Sequence, residues 1–318
     1  MVRAGVIGTG RLGREHARIY ASLEEVGSLC LYDRESERAA EVAALHGART
    51  CDSIASLLSS CDAVSICTPA TDHHDAALAA FDAGVHVLVE KPIASTAAEA
   101  RDMVARAGAR SRILQVGHIE RFNGAFEAAR SLLRKPRFIE VHRLATFTPR
   151  GIDVSVVQDL MIHDIDLVLT VLRGARLREV RASGAGVLTS APDIVNARLE
   201  FAGGCVANIT ASRISREPLR KIRFFEESLY VSVDLREKRV EAFEKVGRGA
   251  SLDAAADVSA LIRPIVVEVD GTEPLRKEIA TFVAAVNGEA SIGVSGAEGL
   301  AALEVAEQVL AGVSQTGK

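Results

Sequence analysis

VIGTGRLG, residues 6–13, sets three glycines at the seam between an apolar run, VRAGVIG, and an amphipathic one, GREHARIYASLEEV. The spacing Gly8-x-Gly10-x-x-Gly13 suits a strand that turns sharply into a helix. One glycine makes the turn, one lets backbone approach a bulky anion, and one lets the helix lie close on the sheet. The first turn of such a helix offers unpaired N–H groups to a pyrophosphate. Asp33 stands twenty residues beyond Gly13, at the end of the second apolar run SLCLYD, where an acid can bond the two ribose hydroxyls of an adenosine. A tight turn without a ligand is the plain alternative. The acid and the strand–turn–helix context favour a dinucleotide, bound by Gly8, Gly10, Arg11, Leu12 and Gly13 with Asp33. Asp33 repels a 2′-phosphate and so points to NAD, while Arg34 beside it leaves NADP open.

Outward from this loop the chain alternates strand and helix signals as far as residue 120. Short apolar runs such as AVSICTP, HVLVEKP and RILQVG carry no polar alternation and are separated by helical patterns, including a Thr96-x-x-Glu99 capping box. That is the signature of a parallel sheet covered on both faces, a doubly wound α/β Rossmann domain over 1–120. In such a sheet the loops after the strands face the cofactor crevice. Thr68, Pro69 and His73 of one loop, and Glu90 and Lys91 of the next, therefore join the expected cofactor residues. His73 and His74 read as exposed. Lys91, beside the nicotinamide half, can hydrogen-bond a substrate hydroxyl and favour its ionisation. Pro92 is a candidate for a cis bond.

From 121 to 318 the pattern changes to α+β. A helix near 124, a strand near 138 and a helix over 156–172 precede a series of strand runs joined by short turns, and two helices end the chain. This predicts an open, mainly antiparallel sheet. The helix over 156–172 contains DLMIHDID, residues 159–166, in which Asp159 and His163 lie four apart and share a face. Asp166, seven from Asp159, is expected to continue that face. Burying a carboxylate or imidazole alone is costly, so the helix needs mutual pairing or a polar cavity, and both readings stand.

Composition sets limits. The 318 residues carry 38 basic and 42 acidic side chains, and a net charge of −4 gives no global field for nucleic acid or an anionic membrane. No run approaches the roughly 20 apolar residues of a membrane span. Five cysteines, Cys30, Cys51, Cys61, Cys67 and Cys205, form no C-x-x-C pair, so a disulfide framework and a zinc site are not expected and a cytoplasmic protein is. No metal site is expected.

Taken together, the glycine loop, TPATDH (68–73), HVLVEKPIA (86–94), GHIERFN (117–123), DLMIHDID and VSGAEGLAALEVAEQVL (294–310) resemble the glucose–fructose oxidoreductase, inositol dehydrogenase and rhizopine-catabolism (Gfo/Idh/MocA) superfamily over essentially the whole chain. The resemblance implies an NAD(P)-dependent dehydrogenase of sugars, cyclitols or nucleotide sugars. It implies a homodimer or homotetramer formed through the C-terminal sheet. It makes Lys91, Asp159 and His163 the catalytic set, with Arg121, Asn123, Asp159 and His163 near the substrate. Met161 departs from the glycine many members carry. VGHIERFN and DLMIHDID resemble the subgroup of UDP-N-acetylglucosamine 3-dehydrogenases, for which Arg213 of SRISREPLRKIR (212–223) could grip a diphosphate. On this reading the hydroxyl sits between Lys91 and His163; His163 takes the proton as hydride leaves, and either His163 or Lys91 is its final holder. A solvated strand edge is the plainer reading of the basic run, and a salt-bridge tether between domains is the plainer reading of Arg121. A dehydrogenase of free sugars or inositol, and a non-catalytic NAD(P)-binding redox sensor, are the competing functions.

Overall fold

The computed structural model describes residues 1–148, 154–246 and 261–316. The strands are β1 (Val2–Ile7), β2 (Val26–Tyr32), β3 (Arg49–Thr50), β4 (Ala63–Ile66), β5 (His86–Glu90), β6 (Leu114–Gly117), β7 (Phe138–Leu144), β8 (Leu177–Ala185), β9 (Ile194–Phe201), β10 (Val206–Ser212), β11 (Leu219–Phe225), β12 (Leu229–Asp234), β13 (Arg239–Lys245) and β14 (Ile262–Ile265). The α-helices are α1 (Arg11–Tyr20), α2 (Ser36–His46), α3 (Ile54–Ser60), α4 (His73–Asp82), α5 (Ala97–Ala109), α6 (Gly124–Leu132), α7 (Ile162–Val171), α8 (Pro274–Val286) and α9 (Gly296–Thr316). They form two compact units, Met1–Ile119 with Glu273–Glu304, and Glu120–Thr272 with Val305–Lys318.

The first unit is built on a six-stranded sheet in the order β3-β2-β1-β4-β5-β6, parallel throughout. The strand order reverses between β1 and β4, the switch point at which doubly wound sheets open a crevice. β4 is buried along its whole length because helices cover both faces. Helix α1 buries Gly13, His16, Ala17, Ile19 and Tyr20. Thr96 and Glu99 close the capping box of α5. Helix α8 and the first part of α9, as far as Glu304, belong here rather than with the rest of the C-terminal half. Leu275, Ile279, Phe282 and Val283 recur at helical spacing and enter the same core as Val6, Ile19, Tyr20 and Leu31. Periodicity reveals such an apolar stripe but not the surface it covers, which is why the stretch 121–318 reads in sequence as one domain.

The second unit is an eight-stranded sheet in the order β14-β13-β12-β11-β7-β10-β9-β8. Every neighbouring pair is antiparallel except β7–β10, inside the sheet. Alternation gives the sheet one apolar face, for example Val195, Ala197, Leu199 and Phe201 on β9. Helices α6 and α7 pack on the sheet. Four half-exposed aromatics, Phe138, Phe225, Tyr230 and Phe243, run ring to ring across β7, β11, β12 and β13 with centroids 5.2–6.3 Å apart.

Candidate active site

In the first unit the glycine loop closes as its spacing requires. Gly8 has φ +89°, and a Cβ there would lie 3.0 Å from the Cys67 carbonyl carbon and oxygen and the Thr68 nitrogen. A Cβ on Gly13 would lie 1.8 Å from the Gly8 carbonyl oxygen, so only glycine lets α1 approach the turn. A Cβ on Gly10 would meet nothing within 4 Å. Gly10 is the N-cap of α1 and supplies no side-chain cap, so the first-turn N–H groups face open space at the head of the helix. That space is a cradle with room for a pyrophosphate and donors aimed at it.

The loop opens into a cleft of about 1100 Å³, lined among others by Gly8, Gly10, Asp33, Arg34, Thr68 and Pro69. Asp33 Oδ2 accepts from the Thr9 backbone N–H (2.7 Å) and hydroxyl (3.1 Å), and Oδ1 accepts from the Glu35 N–H (2.9 Å). Burial works to raise the Asp33 carboxyl. The Glu35 and Thr9 donors and the Arg38 charge outweigh it, and the group sits below its ordinary value, ionised and fixed in orientation. These features fit a dinucleotide. The sequence reading missed Arg38, which lines the cleft and pairs with Glu35 at 2.5 Å and with Asp33 at 3.7 Å. It also missed the apolar wall of Ile54, Ala55 and Leu58 on α3 facing Ala76 and Ala79 on α4. The signal for the wall was helical spacing, which core packing produces equally well.

Arg11, Leu12, Gly13, His73, Glu90 and Lys91 do not line this cleft. His73 corrects an expectation, because it is not exposed. Its ring is buried, with Nδ1 3.0 Å from the Pro92 carbonyl and Nε2 2.9 Å from the Thr68 carbonyl, so it ties the loop after β4 to the loop after β5. Burial lowers its pKa despite these carbonyls. His74 is the outer member, bonded to Asp75 and Asp102. The Lys91–Pro92 bond is cis. Glu90 is buried at the end of β5, where Oε1 meets His16 Nε2 at 2.9 Å.

In the second unit DLMIHDID straddles a change of helix type. Val157–Met161 forms a π-helical turn, in which the Ile162 N–H reaches the Val157 carbonyl, and α7 follows from Ile162. Single π turns of this kind recur at functional sites. Asp159 lies in the π turn and His163 in the first turn of α7, and both are half-buried. Asp166, three residues after His163 and so on the neighbouring surface of α7, is held by an arginine. It is buried, and it accepts from Arg121 Nε at 2.8 Å and Nη2 at 2.6 Å. Asp164 is likewise buried and accepts from Arg143 Nε at 2.9 Å and Nη2 at 2.8 Å, while Arg143 Nη1 reaches Glu120 Oε1 at 3.0 Å. Residues two apart point to nearly opposite sides of a helix, so the two carboxylates grip arginines on different sides of α7.

The remaining expected residues have structural partners. Arg121 pairs with Asp166, an acid of its own unit, so that pair is no tether between domains. Asn123 caps α6 through the Ala125 N–H (3.1 Å) and donates to the Leu235 carbonyl (2.9 Å). Arg213 is buried and donates to the Val154 carbonyl at 2.6 Å. Among the described residues no group of His, Cys, Asp and Glu could hold a metal ion, and no helix is long and apolar enough to cross a membrane.

Comparison with known proteins agrees with this geometry. The family model described as "Oxidoreductase family, NAD-binding Rossmann fold" matches residues 2–118, and the Gfo/Idh/MocA C-terminal domain model matches residues 116–228. The chain is 38% identical over 309 residues to a UDP-N-acetylglucosamine 3-dehydrogenase of Acidithiobacillus ferrooxidans, covering 97% of this chain and 96% of that one. A solved structure of that organism's UDP-N-acetylglucosamine 3-dehydrogenase superposes with a TM-score of 0.89 at 36% identity, over 99% of this chain and 98% of the other. An inositol 2-dehydrogenase of Rhizobium meliloti is 28% identical across 99% of this chain and 97% of its own. The glycine loop, its acid and full-length similarity to named dehydrogenases converge: this chain belongs to the Gfo/Idh/MocA family of NAD-binding oxidoreductases and is a dehydrogenase.

Proposed function

We propose that the protein oxidises the 3-hydroxyl of UDP-N-acetylglucosamine to a ketone, with NAD as the hydride acceptor. The observation that carries this reading is the 38% identity, over 97% of the chain, to an enzyme named for that reaction. Bound nicotinamide supplies the site that takes the hydride. The chain's residues manage the proton and the charge. His163 is the general base that takes the hydroxyl proton. Asp159, one helical turn before it, orients the imidazole or a neighbouring hydroxyl. Lys91 steadies the developing alkoxide. Asp33 anchors the adenosine ribose, and its negative charge favours NAD over a cofactor with a 2′-phosphate. The structural partners of Arg121 and Asn123 support an indirect role for both, in holding α6 and α7. In the basic run, the exposed Arg216 is better placed than the buried Arg213 to meet a diphosphate.

The half-exposed aromatic row and the polar residues around it support a homo-oligomer formed through the sheet of the second unit. Five free cysteines support a reducing, cytoplasmic setting. An inositol dehydrogenase is the second reading, favoured by the inositol 2-dehydrogenase that matches the chain end to end.

The test is to mix the protein with NAD and, separately, UDP-N-acetylglucosamine, free N-acetylglucosamine and myo-inositol, and to follow the absorbance of reduced cofactor. Turnover confined to the nucleotide sugar is expected. Turnover of inositol alone would establish the second reading. Tight NAD binding with no turnover of any sugar would point to a redox sensor.

A further inference from the structure

Behind the Glu90–Lys91 loop lies a buried polar chain that the dehydrogenase reading does not use. His16, on α1, has no exposed surface. Its Nε2 lies 2.9 Å from Glu90 Oε1 and its Nδ1 lies 2.9 Å from Ser65 Oγ on β4. Ser65 Oγ in turn lies 2.8 Å from the Tyr20 hydroxyl, again on α1. One proton assignment uses every group. Tyr20, whose phenol burial pushes up and so keeps protonated, donates to Ser65. Ser65 donates to His16 Nδ1, and His16 Nε2–H donates to Glu90. The second carboxylate oxygen, Oε2, accepts the Lys91 N–H at 3.3 Å. The space for this carboxylate exists because residue 117, opposite on β6, is glycine: a Cβ there would lie 2.9 Å from Glu90 Oε2.

Packing does not account for such a chain. Apolar residues of similar volume would fill the space at no desolvation cost, and buried polar pairs are weak evidence for stability. What the pair supplies is register. His16 rides on the helix whose first turn heads the cofactor cradle, and Glu90 is covalently joined to Lys91. We propose that His16 and Glu90 are positioning residues, which lock the Lys91 backbone to the cofactor-binding helix from inside the first unit. The inference rests on the role given to Lys91 above.

The experiment uses the full chain with His16→Leu, His16→Gln, His16→Asn and Glu90→Gln. A glutamine amide can stand where Nε2 stands, whereas an asparagine amide reaches only the Ser65 side. Backbone hydrogen exchange of residues 88–95, read by mass spectrometry, needs no substrate. His16→Leu is expected to speed it about tenfold or more, without change in β1 and β4, and His16→Gln to restore it where His16→Asn does not. With a sugar that turns over, kcat should fall about 10–100-fold in the leucine variant, the scale on which outer partners act elsewhere, while the KM for NAD stays within about twofold. Glu90→Gln, which keeps the volume, should loosen the same segment and serves if the leucine variant does not fold. Unchanged exchange at 88–95, loosening spread evenly over the unit, or equal behaviour of the glutamine and asparagine variants would overturn the proposal. Full turnover by Lys91→Ala would instead defeat the role of Lys91, and the exchange data would still judge the pair.

Discussion

The two units bury polarity in opposite ways. In the first unit backbone N–H groups and a hydroxyl hold Asp33, with Arg38 farther off at 3.7 Å, and the His16 ring meets Glu90. The second sets acids directly against arginines, Asp164 on Arg143 and Asp166 on Arg121, with both members of each pair buried. A carboxylate held by backbone donors can sit at the lip of a cleft, oriented and still able to accept more hydrogen bonds. One locked in an arginine fork is spent, and what it secures is the element carrying it. The two buried carboxylates of α7 therefore act as clamps on the helix, and the proposed chemistry rests on the half-buried Asp159 and His163.

If that division holds, His163 and the arginine-bound carboxylates should fail differently. His163→Ala should lower kcat about 10²–10⁴-fold, the usual contribution of a general base, with an unfolding midpoint near that of the parent protein. Retained turnover would remove His163 from the mechanism. Asp164→Ala should instead act on stability, by about 3–5 kcal/mol in urea unfolding, because the buried Arg143 guanidinium loses both bonds to Asp164 and is left with Glu120. The double replacement Arg143→Leu and Asp164→Leu should cost less than that single change. If the single and double variants lose the same amount, the clamp account is wrong.

In the first unit the comparable lesion is steric rather than electrostatic. Gly13→Ala drives a methyl to 1.8 Å from the Gly8 carbonyl oxygen, so α1 must shift away from the turn. The Kd for NADH, read from its fluorescence on binding, should rise about tenfold or more, about 1.4 kcal/mol per decade. Gly10→Ala meets no protein atom and should spare the fold while still crowding a bound pyrophosphate. Equal stability of the two variants would contradict the packing argument.

This contrast also explains what the sequence could reveal. Glycines 8, 10 and 13 and Asp33 were legible because their roles are local: backbone geometry and a strand end fix them within one strand–turn–helix unit. The parallel and antiparallel sheets were legible for the same reason, since each strand carries its own burial pattern. The arginine partner of Asp166 was not legible, because helical spacing places a residue on a face without saying what faces it. Arg121 lies 45 positions away from its acid, and Arg143 lies 21 away from Asp164. His73 was misread because an imidazole between two polar residues looks solvated until two loops are seen to converge on it. Helix α8 shows the same limit at larger scale. Its stripe was plain and its destination, across some 150 residues, was not.

The smallest expected effect tests the backbone-donor strategy where no cofactor complicates it. Asp193, before β9, is a buried counterpart of Asp33 in the second unit. Its Oδ2 accepts from the N–H groups of Val187 (2.8 Å), Leu188 (2.7 Å) and Thr189 (3.0 Å), and its Oδ1 accepts from the Thr189 hydroxyl (2.8 Å). Burial pushes its carboxyl up, yet these donors carry it well below the usual carboxylate range. An acid depressed in the folded state stabilises that state fully above its unfolded pKa of about 3.9, and the contribution drains away as pH falls below that value toward the folded pKa. Asp193→Asn keeps the shape, removes the charge and turns one acceptor into a donor facing donors. It should cost about 1–3 kcal/mol near neutral pH. The gap between the parent protein and the variant, followed by urea unfolding from pH 7 downward, should narrow below about pH 4. A gap that stays constant with pH would mean that the loop answers to shape alone, and that backbone donors do not hold this carboxylate as they hold Asp33.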